Sequence, residues 1–301
     1  MSTEKVLLII NPVSGRQRAN RMLYKIINFL CQSGCIPTVF ITTKKGDALN
    51  IIKENAKEYS RIICFGGDGT LSEVFNGVSD IDVQIPIGYI PTGTINDLAY
   101  SLGLSKKWNE GINIAINGQS QRIDVGSFGG AQRFSYVASF GAFTQVSHET
   151  PQWLKNLMGR MAYMIYGVLS LTGIKSHIVS ITADGKEIFD DFVFGSVSNS
   201  KILGSLIRLD KSEVAFSDGK FEVLLVKTPK NLSGLINTLL SILTQNYNNN
   251  FVYLFKASKV SFSFENNTDW IVDGEYADTL KTVCIENIQR KICIFVPNKV
   301  E

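Results

Sequence analysis

One run of ten residues limits the folds open to this chain: Arg61-Ile62-Ile63-Cys64-Phe65-Gly66-Gly67-Asp68-Gly69-Thr70. Its apolar, β-branched first half is long enough for one short buried strand. Three glycines then surround a single aspartate, and Thr70-Leu71-Ser72-Glu73-Val74 reads as the start of a helix. Glycine lets a main chain take positive φ and approach a ligand with no Cβ in the way. A glycine turn between strand and helix points backbone N–H groups at an anion, most often a phosphate. Gly66, Gly67, Gly69 and Thr70 are therefore phosphate-site candidates. Asp68 does not suit a bare phosphate cradle and implies a metal ion or a proton to be moved. It would serve equally well as a helix N-cap.

The first part of the chain repeats this rhythm. Strands are expected at Val6–Ile10, Thr38–Thr42, Ile62–Phe65 and Ile87–Ile90. Helices are expected at Ala19–Gln32, Asp47–Tyr59, Leu71–Val78, Asp97–Leu102 and Trp108–Ile116. Such alternation predicts a parallel sheet wound with helices on both faces, which takes its ligands beyond the carboxyl ends of the strands. After about residue 122 the texture changes to strands, at Arg122–Phe128, Arg133–Gly141, His177–Ala183, Phe189–Val197, Phe221–Lys227, Lys256–Phe264 and Thr268–Val272. Turns such as Ala183-Asp184-Gly185-Lys186 suggest an antiparallel sandwich or barrel, interrupted by helices near Trp153–Thr172 and Leu232–Leu243. The fold class is thus α/β plus all-β: a wound α/β domain over residues 1–122 and an antiparallel β-sandwich domain over 123–290. The last strand, Lys291–Pro297, could return to either.

A length of 301 residues favours two domains, and a hydrophobic fraction of 45% is ample for two cores. The net charge of +3, with no Lys/Arg cluster, argues against nucleic acid as a partner. The five cysteines are odd in number and form no C-x-x-C, the pattern of reduced, buried cysteine in a cytosolic protein. Two histidines, His148 and His177, make zinc chemistry and a Ser-His-Asp triad poor candidates. The N-terminus is too polar for a signal peptide, and the longest apolar run, Met161 to Ile174, is too short to span a bilayer. Peripheral membrane association needs no spanning segment. Trp153–Met161 carries apolar residues at helical spacing beside two cations, which suits an interfacial helix or one packed on the sandwich.

Further candidates follow other strands. Asn11-Pro12-Val13-Ser14-Gly15-Arg16 offers phosphate donors from Asn11, Ser14 and Gly15, and also suits a plain turn. Pro91-Thr92-Gly93-Thr94-Ile95-Asn96-Asp97 offers the hydroxyls of Thr92 and Thr94 and a second carboxylate; Asn96 or Asp97 could instead cap the next helix. Asp124 lies between Ile123 and Val125, where a buried charge requires a partner, of which a cation is the simplest. In Asp273-Gly274-Glu275, Glu275 could accept a proton, or the triplet could be an ordinary Asp-Gly hairpin with an exposed Glu. Ser217-Asp218-Gly219-Lys220-Phe221 could hold a structural cation or form a β-turn.

Together, Asn11–Gly15, Gly66–Thr70, Pro91–Asp97, Ile123–Gly126, Ser217–Phe221 and Asp273–Glu275 resemble, in order and spacing, the diacylglycerol/sphingosine-type lipid kinase family, and most of all its soluble bacterial diacylglycerol kinases. The resemblance implies an ATP-dependent lipid kinase with Mg²⁺, in which a nucleotide domain faces a β-sandwich lipid-acceptor domain across a catalytic cleft. Asn11, Ser14, Gly15, Thr43, Gly66, Gly67, Gly69, Thr70, Thr94 and Asn96 would line the nucleotide site. Asp68 would lie near the transferred phosphoryl group, linked through Mg²⁺ and water to Asp97 and Asp124. Glu275 would be the general base, with Asp68 its rival, while Asp218 and the Lys220 carbonyl would match a structural cation site. The chain departs from the family pattern at Asn199 to Asp210, where a glycine-rich stretch ending in proline is usual. The acceptor therefore stays open between diacylglycerol and phosphatidylglycerol, a polyprenol or a sphingoid base, with a non-catalytic nucleotide- or lipid-binding protein as the rival from another class. The implied location is cytoplasmic, at a membrane surface, and a homodimer through an exposed strand is left open.

Overall fold

The computed structural model describes residues 4–14, 18–81, 83–94, 96–141, 175–203, 207–209, 214–247 and 249–298. The helix expected at Trp153–Thr172, its interfacial stretch, Gly15, Arg16 and part of Asn199–Asp210 lie outside the described residues. The chain divides into two compact units. One comprises Met1–Val125, Arg133–Ser135 and Ile288–Glu301, the other Gly126–Gln132 and Tyr136–Asn287.

In the first unit the order is β1 (Glu4–Ile10), α1 (Arg18–Gln32), β2 (Cys35–Ile41), α2 (Asp47–Asn55), β3 (Arg61–Gly66), α3 (Asp68–Ser79), β4 (Ile87–Pro91), α4 (Asp97–Ser101) and α5 (Trp108–Asn117). The strands pair in the order β2-β1-β3-β4, all parallel. Parallel strands are buried on both faces and read as continuous apolar runs, as Val6–Ile10 and Ile62–Phe65 do. On one face Val6, Leu8, Ile10, Ile63, Phe65 and Ile90 pack with Ile26 and Leu30 of α1 and Ile112 and Ala115 of α5. The alternate residues Leu7, Ile9, Ile62 and Cys64 are equally buried and point the other way, where α3 packs on β3 and α2 on α3. Gly88 of β4 permits the closest of these contacts, since a Cβ there would stand 2.5 Å from the Ala115 Cβ and 3.0 Å from its Cα. The cysteines are all free, but Cys31 is exposed on the outer face of α1, against the expectation of buried thiols; only Cys35 and Cys64 are fully enclosed.

The second unit holds β7 (Val137–Gly141), β8 (His177–Ala183), β9 (Lys186–Ser198), the short β10 (Ile202–Leu203) and β11 (Ile207–Arg208), β12 (Phe221–Lys227), α6 (Leu232–Thr244), β13 (Val252–Ala257) and β14 (Lys259–Val272). Two strands, β5 (Gln119–Phe128) and β15 (Glu275–Val296), and the short β6 (Gln132–Phe134) have residues in both units. Pairing here is antiparallel: β13-β12-β9-β7-β14-β15, with β8 also joining β9 to β14. The core is aromatic. Trp270, fully buried, lies with its ring centroid 5.1 Å from Phe140, 5.2 Å from Phe262 and 6.0 Å from Phe264, distances at which tilted rings attract.

Three expected boundaries differ. Arg133–Gly141 is two strands, because the Asp273 carboxylate takes the N–H groups of Tyr136 and Val137 at 3.0 and 3.2 Å. Lys256–Phe264 straddles a break at Ser258, whose N–H bonds to Asp184, while Thr268–Val272 belongs to the same strand as Lys259–Phe264 through a bulge after Ser263. Val252–Ala257 and the first half of β15 were not expected as strands. The latter buries only alternate residues such as Val283 and Ile285 between polar ones.

Glu222 is a buried charge within the apolar run of β12. It is 1% exposed, lies in register between Ser198 and Lys256, and neither carboxylate oxygen has a hydrogen-bond partner among the described residues. The nearest cation, Lys256 Nζ, stands 3.7 Å from Oε1 and closer, at 3.0 Å, to Asp218. Burial pushes the Glu222 carboxyl up from 4.5 to about 8, against the pull of Lys256. Between those values the native state holds a proton that the unfolded chain does not, so this stabilisation is complete below about pH 4.5 and is lost as pH rises through about 8.

Two outcomes are expected. Gly88→Ala should cost about 1–3 kcal/mol in urea unfolding, because both atoms it would strike belong to packed backbone or a short side chain. Glu222→Gln should flatten the fall in thermal stability between about pH 5 and pH 8. An unchanged slope in the variant would assign that fall to other groups.

Candidate active site

The parallel register puts the ends of β1, β3 and β4 at one edge of the sheet. Three backbone bonds stitch the following loops there: Asn11 N–H to the Phe65 carbonyl at 3.0 Å, Thr42 N–H to Ile10 at 2.9 Å, and Thr92 N–H to Gly66 at 2.8 Å. Side chains add a second layer. Asn11 Nδ2 donates to Thr70 Oγ1 at 3.0 Å, and the hydroxyls of Ser14 and Thr92 lie 2.7 Å apart. Residues from three separate motifs are thus one cluster.

The glycines serve this cluster in a way the sequence reading did not anticipate. Gly67 has φ −95° and ψ −175°, extended geometry open to any residue, and Gly66 and Gly69 do not take positive φ either. What excludes a side chain is crowding. A Cβ on Gly66 would stand 2.7 Å from the Thr70 Cβ, and one on Gly93 would stand 2.9 Å from the Gly67 Cα. Two main chains pass against each other where the β3 and β4 loops meet.

Asp68 is the first residue of α3; Gly67, not Asp68, occupies the N-cap. The Asp68 Oδ2 instead accepts from the Asn96 N–H at 2.8 Å, which fastens the carboxylate to the other loop. Asn96 occupies the N-cap of α4 without capping it through its side chain. Fully buried at φ 58°, it receives the Tyr89 hydroxyl on Oδ1 at 3.2 Å and donates Nδ2 to the Gly93 carbonyl at 2.6 Å. Asparagine tolerates that left-handed backbone better than most residues. Asp97, 2% exposed, begins α4. Thr94 is exposed.

Asp124 is fully buried in β5, so it is not on a solvated edge. Its Oδ1 accepts from the Arg290 N–H at 2.7 Å. Thr43, beyond β2, is held by Asp47, whose Oδ2 accepts from both its N–H at 2.7 Å and its hydroxyl at 2.8 Å. Those bonds, led by the Thr43 N–H, keep Asp47 below the usual carboxylate range. The sequence reading missed Asp47. It also missed Glu73, which reaches from α3 to accept the N–H groups of Gly46 and Ala48 at the start of α2. A local signal was present for Asp47, an acid in the first turn of a helix where orphan N–H groups collect, but none for Glu73, whose partners open a different helix.

In the second unit, Asp273 at φ 49° and Gly274 at φ 83° form a two-residue hairpin turn with Val272 paired to Glu275, the type I′ geometry. Glu275 is exposed, as an ordinary hairpin predicts. The turn is nevertheless pinned, because Asp273 is 4% exposed and braced by the backbone of Tyr136 and Val137. Asp218 accepts from the Lys220 N–H at 3.0 Å and faces the Lys256 ammonium at the same distance.

Residues 5–128 match the family model of the diacylglycerol kinase catalytic domain. The chain is 29% identical to a Bacillus subtilis diacylglycerol kinase over 98% of its own length and 97% of that protein. To a Staphylococcus saprophyticus diacylglycerol kinase it is 31% identical over 99% and 97%. Among solved structures, one from Bacillus anthracis str. Sterne superposes with a TM-score of 0.83 at 26% identity over 98% of each chain. A diacylglycerol kinase from the same strain gives 0.77 at 24%, which speaks for the fold alone. With the loop cluster in place and a likeness that runs from end to end, the chain belongs to the diacylglycerol kinase family and is a kinase.

Proposed function

We propose that this kinase transfers the γ-phosphoryl group of ATP to the free hydroxyl of diacylglycerol, giving phosphatidic acid and ADP. The observation that carries the reading is the bond from the Asn96 N–H to Asp68 at the glycine crossing. It fixes a carboxylate among backbone and hydroxyl donors suited to phosphate oxygens. Asn11, Ser14, Gly15, Gly66, Gly67, Gly69, Thr70, Thr94 and Asn96 line the nucleotide site in this reading, with Thr43 held ready by Asp47.

Among the described residues no three His, Cys, Asp or Glu side chains converge as a ready metal cage. Mg²⁺ does not require one, since it keeps several waters and binds through one or two carboxylates and the substrate's phosphates. Asp68, Asp97 and Asp124 are oxygen donors of that kind, and bound Mg²⁺ would screen the γ-phosphoryl charge. Asp218 with the Lys220 carbonyl is the proposed structural cation site, where a cation would compete with the Lys256 ammonium. In the transfer, the lipid oxygen attacks the γ-phosphorus, the bond to the β-bridging oxygen breaks, and the hydroxyl proton passes to Glu275. General-base help of this kind is worth about 10²–10⁴-fold. The lipid acceptor puts the enzyme at a membrane surface; no described helix is long and apolar enough to cross one.

The first experiment is transfer from γ-labelled ATP and Mg²⁺ to diacylglycerol, phosphatidylglycerol, a polyprenol and a sphingoid base in mixed micelles. Label mainly on diacylglycerol is expected; label on another acceptor would keep the chemistry and change the substrate. Glu275→Gln should lower kcat by roughly 10²-fold or more with ATP affinity kept. Equal loss of ATP affinity would make Glu275 a structural residue. Asp68→Ala should abolish turnover, and a near-normal rate there would overturn the reading.

A further inference from the structure

Helix α6 is built inside out. Its sequence, Leu-Ser-Gly-Leu-Ile-Asn-Thr-Leu-Leu-Ser-Ile-Leu-Thr, contains no charged residue. The hydroxyl residues Thr238 and Ser241 are buried at 5% and 7% exposure, while Ile236, Leu240 and Leu243 are 48%, 51% and 47% exposed. Spacings of four and three put those three side chains on one face. Three of its hydroxyls are satisfied inside the helix. Thr238, Ser241 and Thr244 donate to the carbonyls four residues back, at 2.9, 2.8 and 2.6 Å. The Asn231 side chain caps the first turn by accepting from the Gly234 N–H at 2.8 Å. Hydroxyls bonded in this way can approach an apolar medium at a small desolvation cost.

The helix's own stretch of sequence carries charge of one sign, although three of the lysines pair with carboxylates from elsewhere: Lys227 with Asp190, Lys256 with Asp218 and Lys259 with Glu286. From residue 223 to residue 264 the sequence has no aspartate or glutamate but four lysines, Lys227, Lys230, Lys256 and Lys259. The exposed Lys230 directly precedes the cap. Beyond the other end of the helix, the Tyr247 hydroxyl donates to the carbonyl of Arg208, an exposed cation on β11, which itself packs against α6. The apolar stripe thus has a cation toward each end and no carboxylate in its own segment.

We propose that the Ile236–Leu240–Leu243 face of α6 docks on the surface of an anionic lipid bilayer, with Lys230 and Arg208 at the headgroups. This goes beyond the transfer chemistry but rests on the reading that the acceptor is a lipid. A second copy fits the face less well. A two-fold contact would bring the same residues from both copies together, so the cations that flank the stripe would meet their own copies. Interfacial helices gain binding both from apolar area and from attraction to anionic headgroups. Each cation is worth roughly fivefold in affinity.

The test uses the full chain and sedimentation with vesicles of phosphatidylcholine, with and without phosphatidylglycerol. The wild type should bind the anionic vesicles more tightly. Ile236→Ser with Leu240→Ser should weaken that binding roughly tenfold or more, and Lys230→Glu should weaken it on anionic vesicles only. Unchanged thermal stability would show that the variants fold, and light scattering would report oligomeric state. Transfer to a short-chain diacylglycerol dispersed in water should be equal in wild type and variants. Wild-type binding by the variants would overturn the proposal, as would conversion of a dimer to a monomer by the Ser substitutions, which would make the face a contact between copies. Vesicle binding that depends on α6, in a protein inactive on the short-chain lipid, would uphold the docking face and count against diacylglycerol as acceptor.

Discussion

The first unit depends on one close approach. The loops after β3 and β4 cross with no side chain between Gly67 and Gly93, and the Asp68–Asn96 hydrogen bond locks the crossing. Around it the Asn11–Thr70 and Ser14–Thr92 contacts hold the β1 loop in place. Gly67 and Gly93 are required by the distance between their backbones, and Gly66 by the Thr70 side chain, not by unusual dihedral angles. A rigid loop cluster at the carboxyl edge of a parallel sheet is the usual place for an anionic ligand, because the following helices direct their unpaired N–H groups there.

The second unit uses carboxylates for different purposes. Asp273 is buried and bonded to backbone, and it supports a hairpin that presents Glu275 to solvent. Asp218 is balanced by a lysine, while Glu222, almost wholly enclosed, is left a weaker share of the same ammonium. The same residue type is therefore a brace, an ion-pair member and a group driven toward its neutral form. Burial and partner distance decide which.

Much of the fold was legible. The apolar runs of β1 and β3, the face formed by Ile26 and Leu30, and the turn at Asp184-Gly185 each follow from a local period or a residue's backbone preference. Legibility failed where long-range pairing supplies the stability. The first half of β15 alternates too many polar residues to stand out, and it becomes a strand only because β14 lies beside it. The division of Arg133–Gly141 depends on a carboxylate more than 130 residues away.

Of the site, the sequence by itself determined which chemical groups are present. Glycine, hydroxyl and carboxylate residues follow the parallel strands, and their order matches a kinase family. Only the tertiary structure decided how each member is used. Asp68 is fastened to Asn96 instead of capping its helix, Gly67 and Gly93 leave room for each other's backbone, Gly66 leaves room for the Thr70 side chain, and Asp124 accepts a peptide N–H. The division has a physical cause. Residue type fixes which bonds a group can make, while its partners are set by the register of strands that meet only once the chain has folded.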